Sequence, residues 1–127
     1  MAAILADPDG YSPSDIIKRL HTCIDSGTYG LDYIIDCRDK NEEFFQEYII
    51  SENDRIEILK KLSIEHYVRW EYSNNPRYPN DIVHIFLYST HLRQRGVEDA
   101  PERLVRIYIK VTWAKPVGVL IVISFHD

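Results

Sequence analysis

Arg103-Leu104-Val105-Arg106-Ile107-Tyr108-Ile109-Lys110-Val111-Thr112-Trp113 runs into a short break, Ala114-Lys115-Pro116-Val117-Gly118. Then comes Val119-Leu120-Ile121-Val122-Ile123-Ser124-Phe125-His126-Asp127. β-Branched and aromatic residues fill both arms, and proline and glycine sit only in the break, so the segment reads as a β-hairpin. The first arm alternates. Val105, Ile107, Ile109, Val111 and Trp113 point one way, and Arg106, Tyr108, Lys110 and Thr112 the other. The second arm is apolar at nearly every position, the pattern of a central strand covered on both faces. Its polar exceptions, Ser124 and His126, are two apart and share a face. If Val119, Ile121, Ile123 and Phe125 extend the core face of the first arm, the register follows, because a one-residue slip would turn that set outward. Arg106, Tyr108, Lys110, Ser124 and His126 then lie together on the opposite face. They make a candidate site of cations, hydroxyls and an imidazole, against the plain alternative of a solvated strand face.

Upstream, Ile82-Val83-His84-Ile85-Phe86-Leu87-Tyr88 reads as a strand, with His84 as a hydrogen-bonded core residue. Residues 89–102 read as a polar connector. Residues 68–81 hold two prolines, three asparagines, Arg69, Arg77, Trp70, Tyr72 and Tyr78, and read as a loop. Arginine beside tryptophan and tyrosine suits phosphate contact and base stacking, so Arg69, Arg77 and Trp70 are candidate RNA-binding residues.

Helices come earlier. Ser12-Pro13-Ser14-Asp15 is a capped start, followed by an apolar stripe of Ile16, Ile17, Leu20, Cys23 and Ile24 and a stop at Gly27. Lys18, Arg19 and His21 read as its solvated face. Leu31 to Cys37 suits a short strand. Asn41 to Ile50 reads as a helix with Phe44, Phe45, Tyr48 and Ile49 inward. Ser51-Glu52-Asn53-Asp54 caps another helix, carrying Ile56, Ile58, Leu59 and Leu62 and ending near Lys60 and Lys61. Residues 63–67 suit one further turn. Helices first and three strands last imply an α+β domain, with the N-terminal helices on one face of a small, mainly antiparallel sheet that ends in the C-terminal β-hairpin. Residues 1–127 form a single domain, with 1–10 as a loose lead-in.

Composition narrows the function. Hydrophobic residues make up 45% of the chain, enough for a core. The net charge of −5 excludes binding to nucleic acid through bulk charge. The acids concentrate in the first half, while the second half is near balance and holds four of the five histidines, so a polyanion contact belongs there. Cys23 and Cys37 form no metal-type pattern and read as reduced core thiols of a cytoplasmic protein. No signal peptide is apparent, and the apolar run from Val117 to Ile123 is far short of the ~20 residues that span a membrane.

Neither a metal-ligand spacing, a GxSxG elbow nor a phosphate-cradling glycine loop is present. What remains is acid/base chemistry on a phosphodiester without metal or cofactor. An RNA 2′-hydroxyl attacks phosphorus if one group takes its proton, another protonates the leaving oxygen, and cations stabilise the phosphorane. His126 and Tyr108 are candidates for the proton transfers. Arg69, Arg106 and Lys110 are the candidate cations.

Three stretches carry a resemblance. They are Asp54 to Tyr67, Val83 to Phe86, and Ile107-Tyr108-Ile109-Lys110 with Val122-Ile123-Ser124-Phe125-His126. In order and spacing, over roughly two-thirds of the chain, they resemble the MqsR (motility quorum-sensing regulator) family of type II toxin–antitoxin toxins. The resemblance implies a RelE-like fold, mRNA interferase (endoribonuclease) activity, an RNA substrate and a cognate antitoxin. Tyr108 matches an active-site tyrosine of the family. His126 matches a position where many members have histidine, and Lys110 a common lysine. Arg69 falls close to where members carry a catalytic lysine. Two departures stand out: Val68-Arg69-Trp70-Glu71 replaces a common Gly-Pro turn, and the connector at 89–102 is longer. A non-enzymatic module of the same fold, or an inactive toxin binding a partner protein, is the alternative. Homodimerisation stays open.

Overall fold

The computed structural model describes residues 6–26, 33–35, 39–114 and 118–127. Helix α1 spans Pro13–Asp25, strand β1 Tyr33–Ile35, helix α2 Asp39–Glu47 and helix α3 Glu52–Lys61. A 3₁₀ turn, Ile64–His66, leads into strands β2 (Tyr67–Tyr72), β3 (Ile82–Arg93), β4 (Glu102–Ala114) and β5 (Val119–His126). The sheet order is β1-β5-β4-β3-β2. β1 runs parallel to β5, and every other pair is antiparallel.

The expected α+β architecture is what forms. Both capping boxes close. Ser12 accepts from the Asp15 N–H at 3.2 Å and Asp15 accepts from the Ser12 N–H at 2.9 Å; Ser51 and Asp54 do the same at 3.0 and 2.9 Å. The hydrogen bonds from Ser12 hold the Asp15 carboxyl below its ordinary range. The expected stop at Gly27 and the thiol Cys37 lie outside the described residues, whereas Cys23 is half-buried and free.

Three expectations of secondary structure need correction. Residues 68–72 are strand, not loop: Val68-Arg69-Trp70-Glu71-Tyr72 has strand composition, and the asparagines and prolines that suggested a loop all follow it. Residues 89–93 belong to β3. Their polarity hides an alternation in which Thr90 is half-buried and Leu92 buried while Ser89, His91 and Arg93 face solvent. With β2 added to the short strand expected near Leu31 to Cys37 and the three expected last, the described residues carry five strands. Helix α2 stops at Glu47, because the chain then pairs with the end of β3. The Ile49 N–H donates to the Arg93 carbonyl at 2.8 Å and the Arg95 N–H to the Glu47 carbonyl at 2.7 Å. This turn exposes Ile49 and buries Ile50.

The core fills one side of the sheet. Phe86, Ile107, Ile109, Val111, Trp113, Leu120, Val122 and Phe125 meet Ile16, Leu20 and Ile24 of α1, Phe44 of α2 and Ile56, Ile58 and Leu59 of α3. Arg19 is not solvated as expected; its guanidinium lies 4.3 Å from the Trp113 ring centroid, a cation–π contact. The hairpin register also differs from expectation. A bulge leaves Ile123 without an opposite residue on β4, so Lys110 pairs with Ser124 but Val111 with Val122. Before the bulge, Leu120 and Val122 point into the core, not Ile121 and Ile123. Beyond it, Phe125 points inward as expected. Gly118 closes the turn with φ +75°, a conformation glycine adopts without steric penalty.

His84 is buried in this core, as its strand implied. Its Nδ1 lies 2.8 Å from the Tyr67 hydroxyl, and its Nε2 lies 3.7 Å from Asp7 Oδ2. The carboxylate on the Nε2 side favours the tautomer protonated there, so the Tyr67 hydroxyl donates to Nδ1. Asp7 is itself buried, and its Oδ1 accepts from the Asp9 and Tyr11 N–H groups, both at 2.9 Å. No helix of the described residues is long and apolar enough to cross a membrane.

Candidate functional site

The sheet face turned away from the helices carries the site. Tyr108 of β4 pairs directly with His126 of β5, and their ring centroids are 5.7 Å apart with planes tilted by 31°. Both side chains are half-buried. One step along the hairpin, Lys110 pairs with Ser124. The bulge at Ile123 makes this possible, because it restores to Ser124 and His126 the parity that the core residues Leu120 and Val122 would otherwise deny them.

Tyr108, Ser124 and His126 line an open cleft of about 610 Å³ together with Asp39, Lys40 and Asn41 from the start of α2, and Asp127. Asn41 brings that helix to β5. Its buried amide donates to the Ile123 carbonyl at 2.9 Å, and its Oδ1 accepts from the Phe125 N–H at 2.7 Å. β1 pairs with Leu120 to Val122, and Asn41 continues the pairing where β1 stops, satisfying the strand edge as another strand would. Replacing Asn41 with alanine strands a buried N–H and a carbonyl. The expected cost is about 2 kcal/mol, read as a shift in the urea unfolding midpoint. A shift worth less than about 0.5 kcal/mol, the scale of an ordinary surface change, would show that water replaces the amide without loss.

Ser124 is 6% exposed and lines the cleft. A second hollow of about 200 Å³ adjoins, lined by Lys40, Glu43, Phe44, Glu47, His126 and Asp127. His126 thus stands between two depressions whose charged side chains are mostly acids, with Lys40 as their shared cation.

The other candidates scatter. Arg106 is exposed on the same face, one alternation beyond Tyr108. Arg69 also lies on this face, in the row Arg69–Ile85–Lys110–Ser124 across the four antiparallel strands. Three strand spacings, about 14 Å, separate it from Ser124, so it does not touch the Tyr108–His126 pair. Its Nε lies 3.5 Å from Glu71 Oε2, and Lys110 Nζ lies 3.3 Å from Glu71 Oε1. Trp70 pairs with His84 on the helix-side face and packs edge-on against Tyr72, 5.6 Å between centroids. Arg77 is exposed in the turn after β2, its N–H bonded to Asn75 Oδ1 at 3.0 Å. Neither joins the cleft.

Sequence reading did not select Lys40, Asn41 or Glu71. Lys40 and Asn41 are ordinary residues for a helix start, and their approach to β5 is a tertiary contact no local pattern announces. Glu71 could have been found: once 67–72 is read as a strand, its parity sets it beside Arg69. No family model matches the chain, and no curated protein or solved structure is similar to it.

Proposed function

We propose that this chain is a metal-independent endoribonuclease acting at the Tyr108–His126 cleft, in the manner its MqsR-like segments suggest. One observation carries the proposal: an imidazole and a phenol directly opposed on adjacent strands, at the floor of an open cleft that Ser124 also lines. An imidazole exchanges protons near neutral pH and serves as acid or base. His126 takes the proton from the ribose 2′-hydroxyl, and water in the open cleft supplies one to the departing 5′-oxygen. The Tyr108 hydroxyl donates to a non-bridging phosphate oxygen. Ser124 and Lys40 add a hydrogen bond and a positive charge where the phosphorane gathers negative charge. The new bond joins O2′ to phosphorus and the broken one frees O5′. The products are a 2′,3′-cyclic phosphate and a 5′-hydroxyl. In this reading the substrate is single-stranded RNA in the cytoplasm, and the restraining partner is an antitoxin that covers the cleft.

The test is a pair of oligonucleotides of one sequence, RNA and DNA, incubated with purified protein in excess EDTA. RNA cleavage leaving cyclic phosphate ends, with DNA intact, is the expected result. Intact RNA would overturn the proposal.

A second reading has its own support. Asp39, Glu43, Glu47 and Asp127 rim the two hollows beside His126, and Glu71 already engages Lys110 and Arg69. An acidic rim suits a basic segment of a partner protein better than RNA. Under this reading the chain is an interaction module, and the same RNA stays whole.

A further inference from the structure

Glu71 uses both of its oxygens on different cations from different strands. Oε1 faces Lys110 Nζ of β4 at 3.3 Å, and Oε2 faces Arg69 Nε of β2 at 3.5 Å. Below them, Val83 and Ile85 of β3 are buried and apolar, giving the arrangement a dry floor. The Lys110 side chain is only 14% exposed, whereas Arg69 is 58% exposed. A phosphodiester also presents two anionic oxygens, and it could bridge the same ammonium and guanidinium over the same floor. Both contacts are longer than the roughly 2.7–2.9 Å of a tight charge-assisted bond, so Glu71 sits loosely in the place it holds. Lys110 also pairs across the hairpin with Ser124, which lines the cleft. The row from Ser124 through Lys110 to Arg69 is therefore a continuous path away from the Tyr108–His126 pair.

We propose that Arg69 and Lys110 form a phosphate subsite for the RNA backbone next to the cleft, and that the Glu71 carboxylate occupies it in the free protein. The choice of RNA as ligand rests on the endoribonuclease reading; the subsite itself rests on the geometry of the two cations. RNA entering the row displaces Glu71 and takes over both cations. Glu71 thereby lowers the protein's affinity for RNA and makes binding conditional on a phosphate reaching this position. A purely structural role for Glu71, solvating the half-hidden ammonium of Lys110, predicts the opposite: removing it would leave RNA binding unchanged or weaker.

The experiment measures binding of a fluorescent single-stranded RNA whose 2′-hydroxyls are all methylated and which therefore cannot be cleaved. Anisotropy titrations across a salt series compare the wild type with Glu71→Gln, Lys110→Gln and the double variant, and thermal melting confirms that each folds. Glu71→Thr, a residue suited to a strand, repeats the test should the glutamine variant misfold. The expected result is about three- to tenfold tighter binding by Glu71→Gln at low salt, with the slope of log K against log salt steeper by about 0.7 for each phosphate gained. The Lys110→Gln/Glu71→Gln double variant loses the gain. Equal or weaker binding by Glu71→Gln overturns the subsite. If the wild type cleaves RNA while Glu71→Gln binds no tighter, the subsite falls and the nuclease reading stands. If Glu71→Gln binds tighter but no variant cleaves, the nuclease reading falls and the subsite stands. Binding by none overturns both.

Discussion

Replacing His126 with alanine is expected to lower the rate of RNA cleavage by about 10²–10⁴-fold, the usual contribution of a positioned acid or base. The fold should survive. His126 is half-buried on the open face, outside the apolar core, and its ring Nδ1 lies 2.9 Å from the neighbouring Asp127 carbonyl. Its ring packs against that of Tyr108, centroids 5.7 Å apart. Tyr108→Phe is the sharper companion. It keeps the ring and its packing and removes only the hydroxyl, so a loss of cleavage there reports hydrogen bonding or proton transfer and not shape. Arg69→Ala should matter far less to the chemical step, since Arg69 on β2 is two strand positions from Tyr108 on β4 and three from His126 on β5. Single-turnover cleavage rates, with circular dichroism to confirm folding, settle the matter. If His126→Ala and Tyr108→Phe cleave as fast as the wild type, the acid/base assignment is wrong even if the protein is a nuclease.

Why this pair was legible in the sequence, and its surroundings were not, has a physical basis. The strict alternation from Val105 to Trp113 assigns each side chain to a face, and Tyr108 and Lys110 follow from it. Ser124 and His126 stand out as polar breaks in an apolar run, and two residues two apart must share a face. An almost wholly apolar strand, however, carries no parity of its own. Nothing between Val119 and Ile123 distinguishes Leu120 and Val122 inward from Ile121 and Ile123 inward, so the bulge at Ile123 is invisible. Two errors cancelled: the core face was assigned to the wrong residues before the bulge, yet the parity beyond it was right. β2 was missed for a different reason. Its strand residues adjoin a stretch crowded with asparagine and proline, and the turn signal spread backward over Arg69 and Glu71. That misreading removed the one acid whose place on the sheet decides what Lys110 and Arg69 can do. Asn41 shows the general limit, because an asparagine completing a strand edge some eighty residues away follows from tertiary packing alone.

Stability should be greatest on a plateau between about pH 6.5 and pH 10 and fall on both sides, for reasons that meet at one buried pair. Burial lowers the His84 pKa to about 4; the Asp7 carboxylate opposes the shift but does not overcome it, and Arg19 adds to it. In the unfolded chain a histidine titrates near 6.5. The folded state therefore binds this proton less readily than the unfolded one. Stability is full above about pH 6.5 and is lost as the pH falls toward 4, where the folded imidazole is itself charged. The shift corresponds to about 3 kcal/mol. Most of the window lies above the range where exposed carboxylates titrate, which keeps the His84 contribution distinct. Tyr67 sets the other edge. Burial first, and then the Asp7 charge, raise its pKa to about 12. A neutral phenol is favoured in the folded state, so stability present below pH 10 is lost as the pH rises toward 12. Urea unfolding measured from pH 4 to pH 11 tests both limbs. His84→Gln removes the titrating ring from the Tyr67–Asp7 network. It should be less stable at pH 7 but nearly flat between pH 6.5 and 4.5, where the wild type declines. Parallel wild-type and variant curves across that window would show that the acid-side loss arises elsewhere. Because Asp7 reaches this network from outside the helices and strands, the acid limb should also loosen the segment from Asp7 to Tyr11, whose backbone is held by that same carboxylate. Faster amide exchange at Asp9 and Tyr11 at pH 5, relative to the His84→Gln variant and corrected for intrinsic rates, is the local signature to look for.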